Sequence, residues 1–107
     1  MNKKQYDLVI IGGGAAGLVA SVAAGAFGAK TALIEKDRLG GECSWTGCVP
    51  SKTLLSAANL AYRTGCQPDQ VMEHVRQTVK KASKASKVKS LLHKYQIDIF
   101  FGAPRFQ

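Results

Sequence analysis

This chain of 107 residues has no apolar run long enough to span a bilayer. Its best stretch, Val19 to Ala26, is interrupted by Ser21 and Gly25, whereas a spanning helix needs about 20 predominantly apolar residues. No membrane partner is therefore expected. Cysteine is scarce as well. Three thiols are too few, and odd in number, for a secreted disulfide scaffold. In a reducing compartment a close pair is catalytic or metal-binding rather than structural. Acidic residues are the third shortage, with 7 Asp and Glu against 15 Lys and Arg, a net charge of +8. The excess lies from Arg63 onward, where Arg63, Arg76, Lys80, Lys81, Lys84, Lys87, Lys89, Lys94 and Arg105 face only Asp69, Glu73 and Asp98. Aromatic residues make up 7% of the chain and do not interleave with the lysines as a base-stacking platform requires. A solvated helix face is the expected role of these lysines, with no nucleic-acid partner. There is no internal repeat and no low-complexity linker. The basic start followed by an apolar run superficially mimics a signal peptide, but a strand and a glycine cluster account for it better. A soluble cytoplasmic protein is expected.

What is present is punctuated clearly. Asp7-Leu8-Val9-Ile10-Ile11 reads as a buried parallel strand, short and branched throughout. Gly12-Gly13-Gly14 is a turn, Ala15 to Phe27 a helix of small residues ended by Gly28, and Thr31 to Glu35 the next strand. Strands joined this way lie parallel. Lys36 to Gly47 reads as loop. A helix is predicted from about Pro50 to Arg63, burying Leu54, Leu55, Ala58 and Ala61 or Tyr62. Gly65 to Asp69 breaks it. Val71, Val75, Val79, Ala82, Ala85, Val88, Leu91, Leu92 and Tyr95 keep helical spacing and predict one long helix. Ile97 to Phe101 is a third strand, ended by Gly102-Ala103-Pro104. Three strands and three helices of this kind make an incomplete doubly wound α/β sheet, with an edge left exposed.

Two motifs carry chemistry. The first is Gly12-Gly13-Gly14-Ala15-Ala16-Gly17, a G-x-G-x-x-G at Gly12, Gly14 and Gly17. Alone it is a weak signal. Following a strand, opening a helix and answered by Glu35 at the end of the next strand, it becomes a strong one. Gly12 permits the tight turn, Gly14 admits a pyrophosphate to the backbone, and Gly17 lets helix and strand lie close. The amides of Ala15 and Ala16 can donate to phosphate at the positive end of the helix. The Glu35 carboxylate can accept from ribose hydroxyls and repels a ribose 2′-phosphate, so FAD or NAD is expected rather than NADP.

The second is Gly40-Gly41-Glu42-Cys43-Ser44-Trp45-Thr46-Gly47-Cys48-Val49-Pro50-Ser51-Lys52. On one regular helix Cys43 and Cys48 would stand about 7.5 Å apart along the axis, beyond the reach of about 6.8 Å for a disulfide. The segment must therefore bend, and Gly40, Gly41 and Gly47 supply that freedom. A helix entered near Pro50 is expected to point its positive end at the sulfurs and lower a thiolate pKa. Lys52 adds a cation there. A metal site is not expected: the spacing is C-x4-C, no second ligand pair follows, and His74 and His93 are far off. Cys66 reads as a loop thiol.

Taken together, these motifs resemble the class I pyridine nucleotide–disulfide oxidoreductases, the family of dihydrolipoamide dehydrogenase, glutathione reductase and mercuric reductase. The resemblance covers essentially the whole chain, residues 1–107, as the N-terminal part of a Rossmann-like FAD-binding domain. It implies FAD as cofactor and NAD(P)H as electron donor. Cys43 would be the interchange thiol and Cys48 the thiol beside the flavin, with Lys52 near the flavin ring. Glu35 and Lys36 would sit near the adenosine. Ala15, Ala16, Gly41 and Glu42 would line the diphosphate and ribityl chain, and the backbone at Ala103 and Pro104 would approach the adenine. Pro104 stands where a small non-proline residue is usual and has no N–H to give. Ser44-Trp45-Thr46 leans toward the mercuric-reductase branch. The substrate would be a disulfide or mercuric ion, and the full-length protein a homodimer. The nicotinamide-binding and dimerisation domains of such enzymes are not in this sequence. The alternative is a truncated, non-catalytic fragment that at most binds FAD.

Overall fold

The computed structural model describes residues 4–83 and 85–106. The chain forms two compact units, Met1–Gly41 with Ala85–Gln107, and Glu42–Lys84.

The first unit is built on β1 (Leu8–Ile11), β2 (Thr31–Glu35) and β3 (Asp98–Phe101), a parallel sheet in the order β1-β2-β3. Leu8 to Ile11 pair with Thr31 to Ile34, and Ala32 to Glu35 with Asp98 to Phe101. Helix α1 (Ala15–Ala26) joins β1 to β2. Its small side chains allow close approach to the sheet. Further along the chain lie α2 (Gly41–Trp45), α3 (Cys48–Thr64), α4 (Pro68–Ala82) and α5 (Ala85–Lys94). Leu33, Leu39, Leu92 and Ile97 form the core of this unit, with Ile10, Leu18, Val22 and Val88 packed on it.

The central strand β2 is buried, with Thr31, Ala32, Leu33 and Glu35 all inside. The sequence predicts a buried β1, and the structure corrects this: Leu8, Val9 and Ile11 are exposed. An apolar strand is buried only if neighbours cover both sides, and among the described residues β1 has a sheet partner on one side alone. Tyr6 and Lys4, just before β1, both donate to Asp98 Oδ2 at the start of β3, at 2.6 and 3.1 Å. These two bonds hold the Asp98 carboxyl below the usual carboxylate range.

In the second unit, α3 ends on Gly65, whose φ of 71° is left-handed, and Pro68 opens α4 after an extended Gln67. Proline at a helix start has no unsatisfied N–H to lose. Val71 and Val75 of α4 are buried. Of the predicted core residues of α3, Leu54, Leu55 and Ala58 are exposed, Tyr62 nearly fully so, and Ala61 is half-buried. A helical hairpin has only one internal seam, and α3 carries more apolar side chains than that seam can cover.

Two further expectations are corrected. The long helix predicted over Val71 to Tyr95 is two helices, broken at Ser83. The hydrophobic spacing runs on through the break, so periodicity does not reveal it. Ser83 closes α4 with its N–H on Val79 O at 2.9 Å and its hydroxyl on Lys80 O at 3.5 Å, a local competition that disfavours helix continuation. The predicted loop of residues 36–47 contains a short helix, Gly41–Trp45. The lysines at positions 80, 81, 87, 89 and 94 are exposed, as a solvated face requires. Lys84 lies outside the described residues. Among the described residues no helix is long and apolar enough to cross a membrane.

Candidate functional site

The glycine turn leaves β1 with Gly12 at φ 105°, its N–H donating to Ile34 O at 2.8 Å. Gly14 caps α1 in an extended conformation without a side-chain hydrogen bond, and no acid occupies the first turn. The opening amides of α1, at Ala15 and Ala16, are thus free of any capping side chain of Gly14 and lie at an exposed surface. Gly17 is required by contact: a Cβ there would stand 1.8 Å from Gly12 O. Gly40 and Gly41, expected to let the thiol segment bend and, for Gly41, to line a diphosphate, also dock on the turn. Gly40 N–H donates to Gly13 O at 2.9 Å, and a Cβ at Gly41 would meet Gly14 Cα at 2.8 Å. Pairing of glycines across two distant segments is the signal that would have found this.

Glu35 is 8% exposed. Its Oε1 accepts from Asp37 N–H at 2.7 Å and its Oε2 from Gly13 N–H at 2.6 Å. These bonds, Asp37 first, hold the carboxyl below the usual range against the opposing effect of burial. A cleft of about 310 Å³ opens beside it, lined by Ile11, Gly12, Ile34, Glu35, Lys36, Ala103 and Pro104. The residues expected around an adenosine, Glu35 and Lys36 from one stretch of sequence and Ala103 and Pro104 from another, are therefore brought together in this unit.

In the second unit Cys43 lies on α2 and Cys48 opens α3. The bend expected between them is a break of helix at Thr46 and Gly47, whose N–H groups both donate to Glu42 O, at 2.9 and 2.7 Å. Ser51 ties the new helix start by donating its hydroxyl to Gly47 O at 2.7 Å. Both thiols are exposed and unbridged. The neighbouring Cys48 thiol, followed by desolvation, pushes the Cys43 thiol above its ordinary pKa. The expectation of a lowered thiolate pKa is thus corrected for Cys43. The Cys48 backbone N–H and the Lys52 charge do favour the thiolate, but the neighbouring thiol outweighs them. Glu42 and Lys52 are both exposed. Cys66 gains the partner that sequence could not name, donating to Gln70 Oε1 at 2.8 Å. Among the described residues no cluster of His, Cys, Asp or Glu forms a metal site.

An alkylation experiment checks the effect of the neighbouring thiol. In a Cys66→Ser background, Cys48→Ala removes the group that raises Cys43 and leaves the backbone N–H and Lys52 that favour its thiolate. The pH midpoint of Cys43 alkylation by iodoacetamide is expected to fall, and the rate at neutral pH to rise. An unchanged midpoint would contradict that effect.

Residues 6–107 match the family model described as pyridine nucleotide-disulphide oxidoreductase. The chain belongs to that family. It is 40% identical over 113 residues to dihydrolipoyl dehydrogenase of Bacillus subtilis (strain 168), covering 94% of this chain and 24% of the relative. To mercuric reductase of Lysinibacillus sphaericus it is 44% identical over 68 residues, 64% of this chain and 12% of the relative. The fold superposes on the Cu(II) complex of the HOCl-induced flavoprotein disulfide reductase RclA from Escherichia coli with a TM-score of 0.80 and 28% identity. That match covers 97% of this chain and 23% of the other. The chain thus spans about a quarter or less of these relatives. As a member of a family of FAD flavoproteins with a Rossmann-type fold, this pyridine nucleotide–disulphide oxidoreductase chain carries the glycine turn and the cysteine pair in separate compact units.

Proposed function

We propose that the chain is the FAD-binding and redox-disulfide portion of an oxidoreductase. The whole protein would pass electrons from NAD(P)H through FAD to Cys43–Cys48, and on to a disulfide or mercuric-ion substrate. The observation that carries this reading is a phosphate-ready glycine turn with Glu35 at the tip of β2, in the same chain as two exposed thiols on either side of a helix break.

The residues present fit FAD. The turn has close backbone contacts that leave no room for side chains at Gly17 and Gly41. The start of α1 has no side-chain cap from Gly14 and no acid in its first turn. The Glu35 carboxylate is held by the backbone N–H groups of Asp37, Gly13 and Lys36, and of its roughly four lone-pair sites one is left for a ribose hydroxyl. Lys36, Ala103 and Pro104 line the cleft beside it, where Pro104 offers only a carbonyl. Gly12, Gly14, Ala15, Ala16, Gly17, Gly41 and Glu42 would hold the diphosphate side. Bound FAD would supply a two-electron relay between a nicotinamide and the sulfur pair.

The chain's own chemistry is thiol–disulfide exchange. Cys43 thiolate would attack one sulfur of a disulfide substrate, forming a mixed disulfide and expelling one substrate thiolate. Cys48 thiolate would then displace the second, closing Cys43–Cys48 with two electrons transferred. For mercuric ion, the soft thiolates are suitable ligands. Lys52 would lie by the flavin as a positive charge. Full-length partners would include a second copy of the protein.

The test is a visible spectrum of the purified chain mixed with FAD and desalted, before and after dithiothreitol. Retained flavin absorbance, with a new long-wavelength band on reduction, is the expected result. A colourless protein would overturn the reading for this chain by itself and favour the inactive fragment.

A further inference from the structure

Gly13 is the variable position of the glycine motif, yet of Gly12, Gly13 and Gly14 it is the buried one. Its N–H donates to Glu35 Oε2 at 2.6 Å, and its carbonyl accepts from Gly40 N–H at 2.9 Å. A Cβ on Gly13 would stand 2.7 Å from Leu39 Cδ2 and 3.1 Å from Glu35 Oε2. The same carboxylate is fixed at its other oxygen by Asp37 N–H. A continuous chain of hydrogen bonds therefore runs from the end of β2, through the middle of the phosphate turn, to the glycine pair that packs on Gly14.

We infer that Glu35 is a positioning residue for the diphosphate site: it holds the phosphate turn in its binding shape through Gly13, in addition to any contact with a ribose. This rests on the dinucleotide reading above and adds to it a second task for the same carboxylate. A charge-assisted hydrogen bond from a buried carboxylate to a backbone N–H is among the stronger ones in a protein. The peptide it anchors immediately precedes Gly14, the cap of α1. Fixing that peptide aims the amides of Ala15 and Ala16. Gly13 has no side chain because the carboxylate and Leu39 occupy that space.

The two tasks of Glu35 have opposite signatures. As a ribose ligand alone, it contributes nothing to binding of inorganic pyrophosphate, which has no ribose. Its negative charge would weaken that binding, so its removal would tighten it. As a positioning residue, its removal loosens the turn and weakens pyrophosphate binding. Glu35→Gln is the suitable variant, because Gln has one carbonyl oxygen where two backbone donors need two acceptors. Gly13→Ala is the second variant. It displaces the carboxylate from Gly13 while leaving Glu35 in the chain.

Titration of the purified 107-residue chain with ADP and with inorganic pyrophosphate tests this. The wild type is expected to bind both, and each variant to lose about tenfold or more in pyrophosphate affinity. Unchanged or tighter pyrophosphate binding in Glu35→Gln, with ADP weakened, would overturn the inference and leave Glu35 a ribose ligand only. A wild type that binds neither probe would instead count against the dinucleotide reading. Amide hydrogen exchange without ligand then decides the positioning role. Gly13 N–H is expected to be protected in the wild type and to lose that protection in Glu35→Gln, while Leu33 N–H in β2 stays protected in both. Equal exchange at Gly13 in the two proteins would overturn it.

Discussion

Gly17→Ala is expected to be the most destabilising single-methyl substitution in the glycine turn. The added Cβ would lie 1.8 Å from Gly12 O, less than the sum of the atomic radii by a wide margin. The obstacle is backbone, so no rotamer change relieves it, and α1 must move away from β1. Overpacking costs about 1–3 kcal/mol and occasionally more, and a backbone clash of this depth belongs at about 3 kcal/mol. In a domain of this size that lowers Tm by more than ~10 °C. Gly28→Ala is the comparison: its φ of 80° disfavours a side chain, but nothing lies within 4 Å of the added carbon. It is expected to cost about 1 kcal/mol. Thermal unfolding of the two variants checks both values. A Gly17→Ala chain as stable as the wild type would mean that helix and strand are not in the close contact described.

The second large effect is on sulfur chemistry. The wild-type chain has three free, exposed thiols. Mild oxidation is expected to leave one titratable thiol, Cys66, by closing Cys43–Cys48 within the chain. Cys43→Ser or Cys48→Ser is expected to keep both remaining thiols under the same treatment at low protein concentration. Thiol titration and intact-mass measurement read the result directly. In the whole enzyme proposed above, either substitution is expected to reduce disulfide-reductase turnover by about three orders of magnitude or more, as for other obligatory catalytic groups. A Cys48→Ser chain that still forms a reversible internal disulfide would remove Cys48 from the redox role.

Much of the site was legible because its chemistry depends on local spacing. G-x-G-x-x-G at Gly12, Gly14 and Gly17 needs a strand before it and a helix after it, and both are written in the adjacent residues. The acid at Glu35 stands at the end of the next strand, and register brings it back beside the turn. Cys43 and Cys48 had to lie off a regular helix on distance grounds alone, and the structure breaks the helix between them. The family resemblance extended these motifs to Lys36, Ala103 and Pro104, and the fold gathers those residues around one cleft.

Other features were not legible, each for a physical reason. The break at Ser83 interrupts an amphipathic pattern that has no glycine or proline to mark it. The exposure of Leu8, Val9 and Ile11 depends on how many neighbours β1 has, which a strand's own sequence does not contain. The raised pKa of Cys43 comes from a thiol five positions away that only the helix break turns toward it.

Sequence by itself determined the element types in the first unit, the parallel β1-α1-β2 order, the glycine turn and the close placement of Cys43 and Cys48. These follow from periodicity, glycine placement and chain geometry over short distances. Only the tertiary structure decided that the helical stretch after Val71 divides between two compact units, and that Gly40 and Gly41 pack on the phosphate turn. It alone decided that Glu35 grips Gly13, because that bond joins residues 22 positions apart and exists only once β2 lies against β1.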